Sequence, residues 1–172
     1  MYQKVDTNLN FVDREKKVEE FWKENHIFEK SMENRKEGET YTFYDGPPTA
    51  NGKPHIGHVE TRTIKDMIPR FQTMKGKYVP RKAGWDTHGL PTELKARKKA
   101  GIGNSAEISV VELRKMCEEF VKGYINDQRT QFKRLGVIGE WDKPYITLNH
   151  EFEAEQIRVF AEMATKGYIY KG

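Results

Sequence analysis

One stretch constrains the fold more than any other. Tyr41-Thr42-Phe43-Tyr44-Asp45 is aromatic and β-prone. It runs into a loop, residues 46–58, in which Gly46, Pro47, Pro48 and Gly52 exclude regular structure. From Gly57 the pattern turns helical, with Ile64, Met67, Ile68 and Phe71 on one side. Pro69 is expected to kink or shorten that helix, and Gly76 to end it. Residues 77–84 then read as a second strand, weakened by Pro80. Strand, loop, helix and strand in that order make a βαβ unit, the seed of a parallel sheet. The expected class is α/β: a Rossmann-like parallel half with added helices.

Around this unit the chain is mostly helical. Residues 11–29 set Val18, Phe21, Trp22, Asn25 and Phe28 at helical spacing, with charges on the other face. Residues 31–40 read as a polar surface loop. Residues 92–100 read as a short basic helix, and residues 109–135 as the longest one, with Leu113, Met116, Cys117, Phe120, Tyr124 and Leu135 in register. Residues 141–148 look extended, and residues 150–167 form an amphipathic helix closed by Gly167.

Charge decides what the surface must look like. Thirty Lys and Arg against 26 Asp and Glu leave a net charge of +4, which permits nucleic-acid contact without demanding it. The basic run at 95–99 reads as a solvated helix face, with proximity to RNA as the alternative. A single cysteine, Cys117, excludes an internal disulfide and a cysteine zinc cluster; it reads as a small core residue. The polar start lacks the apolar core of a signal peptide, and no run approaches about 18 apolar residues. The expected setting is cytoplasmic, with no membrane partner.

Two short segments carry chemistry. Pro54-His55-Ile56-Gly57-His58 lies between a strand and a helix. A helix start offers unpaired N–H groups and a partial positive charge, which suits phosphate, and two imidazoles can add donors. Gly57 removes a Cβ that would keep a flat base or ribose off the backbone. The plainer reading is that His55 and His58 only cap the helix. The second segment, residues 84–91 (GWDTHGLP), is a turn at the end of the second strand. Ligands of open α/β sheets gather beyond such strand ends, so Asp86 and the 46–58 loop should face one crevice. A carboxylate there can hold an ammonium group; alternatively Asp86 shapes the turn beside a buried Trp85. A metal site from His55, His58 and His88 with Asp45 or Asp86 explains the glycines less well. The stretch 101–106 fits G-x-G-x-x-A but follows a basic helix instead of a strand, so a dinucleotide site fails on context.

At this point DGPPTANGKPHIGH (45–58) with KAGWDTHGLP (82–91) resembles the class I aminoacyl-tRNA synthetases, and among them the isoleucine branch. Residues 55–58 match the family's HIGH signature letter for letter. KRLGV (133–137), DKPYITL (142–148) and KGYIYKG (166–172) are similar too, so the likeness spans nearly the whole chain. The resemblance implies that His55, Gly57 and His58 bind ATP, with the two histidines catalytic. It implies that Gly46 and Pro47 line the amino-acid pocket and that Asp86 holds the ammonium. It further implies ATP with magnesium, isoleucine and the isoleucine tRNA as partners of the full-length enzyme, and a full-length monomer with no zinc site in this chain.

Residues 1–40 are then expected to be a helical extension. Residues 41–172 would be a partial Rossmann-type catalytic domain, the βαβ half of the class I synthetase fold, with the start of the connecting insertion. Thr92 departs from the pattern, which usually has an apolar residue before the glutamate, here Glu93. The family's second signature, a loop with lysine and serine, is not in these 172 residues. Nor are the editing insertion and the anticodon-binding helices. The chain is therefore expected to be an amino-terminal fragment, weakly active or inactive alone, with exposed apolar surface along 113–135 and 152–164. Two other classes compete: a non-catalytic nucleotide- or RNA-binding module derived from a synthetase, and a small nucleotidyltransferase, which shares the H-x-G-H loop but not the 84–91 turn.

Overall fold

A computed structural model describes residues 4–5, 7–103 and 107–172; residues 104–106 of the G-x-G-x-x-A stretch lie outside the described residues. Helix α1 (Phe11–Glu24) starts at Asn10, whose side chain accepts from the Val12 and Asp13 N–H groups at 3.1 and 3.3 Å. Helix α2 (Ile27–Glu33) follows a break at His26, which takes φ +50°. The single helix expected over 11–29 is thus two. A left-handed residue ends a helix whether or not it is glycine, and no glycine or proline marks this one. Helix α2 also occupies the start of the loop expected at 31–40.

Strands β1 (Phe43–Tyr44), β2 (Arg81–Trp85) and β3 (Glu140–Ile146) form one parallel sheet in the order β1-β2-β3. Helix α3 (Ile56–Met74) joins β1 to β2, completing the expected βαβ unit. Helices α4 (Leu90–Lys99) and α5 (Val110–Arg134) join β2 to β3, and α6 (His150–Thr165) follows. Helix α3 runs through Pro69, which is fully buried; one missing backbone bond is outweighed by packing the ring. Pro144 is tolerated in β3 because the ladder is irregular there: Lys82 faces Glu140, yet Gly84 already faces Tyr145.

The core lies between the sheet and α5. Trp85, Val121, Ile125, Phe132 and Trp141 cluster with Ala50, Ala83 and Ala96. The Trp85 and Trp141 rings stand 6.0 Å apart, and those of Phe132 and Trp141 6.3 Å. Helix α3 lies beside the carboxyl end of α5: the Arg62 guanidinium sits 4.3 Å over the Phe132 ring, and Arg70 donates to the Gly136 carbonyl at 2.6 Å. Cys117 packs partly buried against this core, and burial pushes its thiol pKa up, the opposite of what a reactive thiolate needs. None of the described helices is long and apolar enough to cross a membrane.

The expected exposure along 113–135 holds only at its last residue, Leu135, and is otherwise corrected. Phe120, Val121, Ile125 and Phe132 are buried, because α5 is the crossover that covers the sheet. Helix α6 does expose Ile157, Val159 and Phe160, and α3 exposes Met67, Phe71 and Met74.

Thr92 explains the cost of its own departure. It is 2 % exposed, and its hydroxyl has no hydrogen-bond partner among the described residues. An unsatisfied buried hydroxyl costs about 1–3 kcal/mol. Thr92→Val, of the same shape without the hydroxyl, is expected to raise stability by about 1 kcal/mol. A urea midpoint equal to or below that of the parent chain would refute this account of Thr92.

Candidate functional site

The site is built on a strap, residues 46–54, that leaves β1 and runs past the end of β2. Asp45 anchors its start. That carboxylate is 5 % exposed and pairs with Arg62 and, at 2.9 Å, with Lys65, both on α3. Lys65 also donates to the Gly46 carbonyl at 3.0 Å, and the Tyr145 hydroxyl donates to the carbonyl of Asp45. Two cations on one buried carboxylate leave a net positive charge beneath the strap.

Further along, the strap meets Asp86. The Asp86 N–H donates to the Pro48 carbonyl at 3.0 Å, the Ala50 N–H to the Asp86 carbonyl at 2.8 Å, and the Thr49 hydroxyl to the Asp86 carboxylate at 3.3 Å. The His88 N–H donates to the other carboxylate oxygen at 3.2 Å. Asp86 therefore does shape its turn. A carboxylate has about four lone-pair sites, however, so two remain for an ammonium. Gly46, Pro47 and Asp86 thus border one edge, at the carboxyl ends of β1 and β2. The ends of β2 and β3 also border a cleft of about 760 Å³, lined among others by Thr87, His88, Cys117 and Leu148.

The strap ends at the start of α3. His55 has extended backbone, φ −119°, and is the N-cap: its Nδ1 accepts the Gly57 N–H at 3.2 Å. In return, the His55 N–H donates to Nδ1 of His58 at 3.2 Å. This is a capping box made of two imidazoles. It fixes their tautomers: with both Nδ1 atoms accepting, each neutral ring carries its proton on Nε2. The two Nε2–H groups are left as donors at a helix start, with ring centroids 3.9 Å apart. Capping and phosphate binding are therefore compatible uses of the same rings. Gly57 has a local reason as well: a Cβ there would sit 3.1 Å from the His55 ring.

His58 is half-buried, and desolvation, with His55, Arg62 and Lys65 nearby, lowers its pKa below the ordinary 6.5. The unfolded chain then takes up the proton first. His58 therefore supports folding above pH 6.5, and that contribution fades as pH falls below it. NMR titration of the imidazole is expected to place its midpoint under 6.5; a midpoint at or above that value would contradict the role given to burial and the neighbouring cations.

His88 takes no part in this pair; its Nε2 lies 3.4 Å from Glu153. Among the described residues, no group of three or more His, Cys, Asp and Glu side chains stands where it could hold a metal ion. Four contributors escape a sequence reading: Arg62, Lys65, Tyr145 and Gln128. Only Gln128 leaves a trace, as a polar residue in the buried series Val121, Ile125, Gln128, Phe132 on α5.

Comparison with known proteins gives the chain a family and relatives. A family described as "tRNA synthetases class I (I, L, M and V)" matches residues 17–172. The isoleucine–tRNA ligase of Caldicellulosiruptor bescii is 51% identical over 163 residues, 95% of this chain and 18% of that protein. That of Bacillus subtilis is 48% identical over 163 residues, again 95% of this chain and 18% of the relative. That of Clostridium kluyveri is 45% identical over 175 residues, 100% of this chain and 17% of the relative. A crystal structure of an Agrobacterium radiobacter LeuRS in ternary complex with tRNA and LeuAMS superposes with a TM-score of 0.70 at 25% identity, covering 91% of this chain and 18% of that one. The chain spans less than a fifth of the length of these relatives.

Proposed function

The chain belongs to the class I tRNA synthetases of the isoleucine, leucine, methionine and valine group, and from that premise we propose that its residues form the ATP- and amino-acid-binding half of an isoleucine–tRNA ligase active site. One observation carries the reading. A single strap binds Asp86 through Thr49 and Ala50 and, three residues after Gly52, delivers His55 and His58 to a helix start.

In this reading Asp86 holds the ammonium of isoleucine, and Gly46 and Pro47 line its pocket. His55 and His58 donate from Nε2 to ATP phosphate oxygens, and Gly57 lets the nucleotide approach the helix start. The isoleucine carboxylate oxygen attacks the α-phosphorus. The bond from that phosphorus to the bridging oxygen breaks, and pyrophosphate leaves with the electron pair. The growing negative charge meets donors already in place, which is where fixed hydrogen bonds lower a barrier. Magnesium arrives with ATP as part of the substrate, since Mg²⁺ is held largely by phosphates and water. The ribose hydroxyl at the end of the isoleucine tRNA then attacks the adenylate carbonyl and releases AMP.

The strong identity to isoleucine enzymes supports the choice of amino acid. A cytoplasmic setting fits the tRNA substrate, and a monomeric enzyme at its natural length is part of the same proposal. In the same reading residues 1–40 are a helical extension, and residues 41–172 the partial Rossmann-type catalytic domain with the start of the connecting insertion. Pyrophosphate exchange tests the reading: the protein at its natural length, assayed with single amino acids, is expected to exchange with isoleucine. Exchange that responds to leucine or methionine but not to isoleucine would overturn the assignment.

A further inference from the structure

Among the buried polar side chains Gln128 is the most enclosed, at 1 % exposure, and the chemistry above makes no use of it. Burying a carboxamide is unfavourable unless its hydrogen bonds are made. Here they are made to three groups on two separate pieces of chain, the strap and the end of β2. Nε2 donates to the Thr49 carbonyl at 3.1 Å and to the Gly52 carbonyl at 2.8 Å, and Oε1 accepts from Trp85 Nε1 at 3.0 Å. Both amide hydrogens and one oxygen lone pair are engaged.

The placement of these partners matters. Thr49 and Gly52 bracket Ala50, whose N–H bonds the Asp86 carbonyl. Trp85 is the residue before Asp86. Gly52 lies three residues before His55. One planar group on α5 therefore fastens the part of the strap that leads to the phosphate end, and the strand end that carries the ammonium anchor. We propose that Gln128 is a positioning residue for adenylate formation, setting the separation between Asp86 and the His55–His58 helix start. This rests on the synthetase reading above.

Neither ligand alone senses that separation. Isoleucine meets the Asp86 end, and ATP meets the helix start. The reaction senses it, because the carboxylate must lie within near-attack distance of the α-phosphorus, and a displacement of about 1 Å costs on the order of 10²-fold in rate. The group must also be a carboxamide. Leucine at this position offers no hydrogen bonds. A carboxylate offers no donor and faces two carbonyl oxygens; once protonated, it donates to one of them and still accepts from Trp85.

The test uses the protein at its natural length and compares wild type, Gln128→Leu and Gln128→Glu. Isoleucine-dependent pyrophosphate exchange is measured per active site, with ATP and isoleucine affinities measured separately. The expected result at pH 8 is a loss of about 10²-fold in kcat for both variants, with each separate affinity within about threefold of wild type. Relative to wild type, Gln128→Glu should recover about tenfold between pH 8 and pH 6, and Gln128→Leu should not recover. Three results would overturn the proposal: unchanged kcat, affinities that fall in step with kcat, or loss of cooperative melting in both variants, which marks a merely structural role. If wild type itself shows no isoleucine-dependent exchange, the synthetase reading fails instead, and the proposal falls with it.

Discussion

In the protein at its natural length, isoleucine-dependent pyrophosphate exchange is expected to fall about 10³-fold or more when His55 and His58 are both replaced by alanine. Removing one preorganised donor to a developing oxyanion typically costs about 10²–10³ in rate. Here two Nε2–H donors go together, and residues acting as a unit do not sum their separate effects. The same change also removes both halves of the capping box at α3, worth about 1 kcal/mol or somewhat more. A loss of activity could therefore be confused with a loss of fold. His55→Asn separates the two. Asparagine is a favoured N-cap and keeps an acceptor for the Gly57 N–H, but it lacks the imidazole donor. Melting should return close to wild type in His55→Asn while exchange stays depressed by about 10²-fold. If exchange follows melting instead, returning when the cap returns, the rings serve the helix and not the phosphate. Exchange left intact in the alanine double variant would remove His55 and His58 from the site altogether.

The parts of this fold that could be read from residues are those with local signals. The aromatic run at 41–45, the double proline and Gly76 mark where β1 ends and where α3 stops, and the parallel partner follows from chain order. Asp86 could be placed beside the strap because strand ends of a βαβ unit share an edge. The break at His26 could not be read, since nothing around it disfavours a continuous helix. Nor could the burial of α5: an amphipathic pattern says which face is apolar, not which neighbour covers it. The site's supporting residues were hidden for a related reason. Gln128 bonds main-chain groups 79 and 76 positions away and an indole 43 positions away. Tyr145 reaches a carbonyl 100 positions away. Such contacts exist only once the sheet has brought β1, β2 and β3 together. The groups proposed to meet substrate sit in short motifs, whereas the residues that hold them in place are spread across the fold.

Gly84→Ala is expected to destabilise the chain by about 3 kcal/mol, and the reason is the face of one ring. Gly84 pairs with Tyr145 across β2 and β3, and the aromatic ring lies over the glycine so closely that a Cβ would overlap it. The ring cannot readily step aside. Its hydroxyl is bonded to the Asp45 carbonyl, and its outer end stacks on Phe152 at 6.1 Å with a 12° interplanar angle. Two effects compete. Alanine is better than glycine within a strand by about 0.5–1 kcal/mol. Against this stand overpacking, at about 1–3 kcal/mol, and loss of the Tyr145 hydrogen bond, at about 1 kcal/mol. The second pair of terms wins. Tyr145→Phe should isolate the hydrogen bond and cost about 1 kcal/mol. Tyr145→Ala removes the obstacle, so Gly84→Ala on that background should cost little or even stabilise; the coupling between the two sites should reach about 3 kcal/mol. Urea denaturation of the four chains measures it. If Gly84→Ala alone stays within about 0.5 kcal/mol of the parent, the ring is free to move, and Tyr145 does not hold the start of the strap.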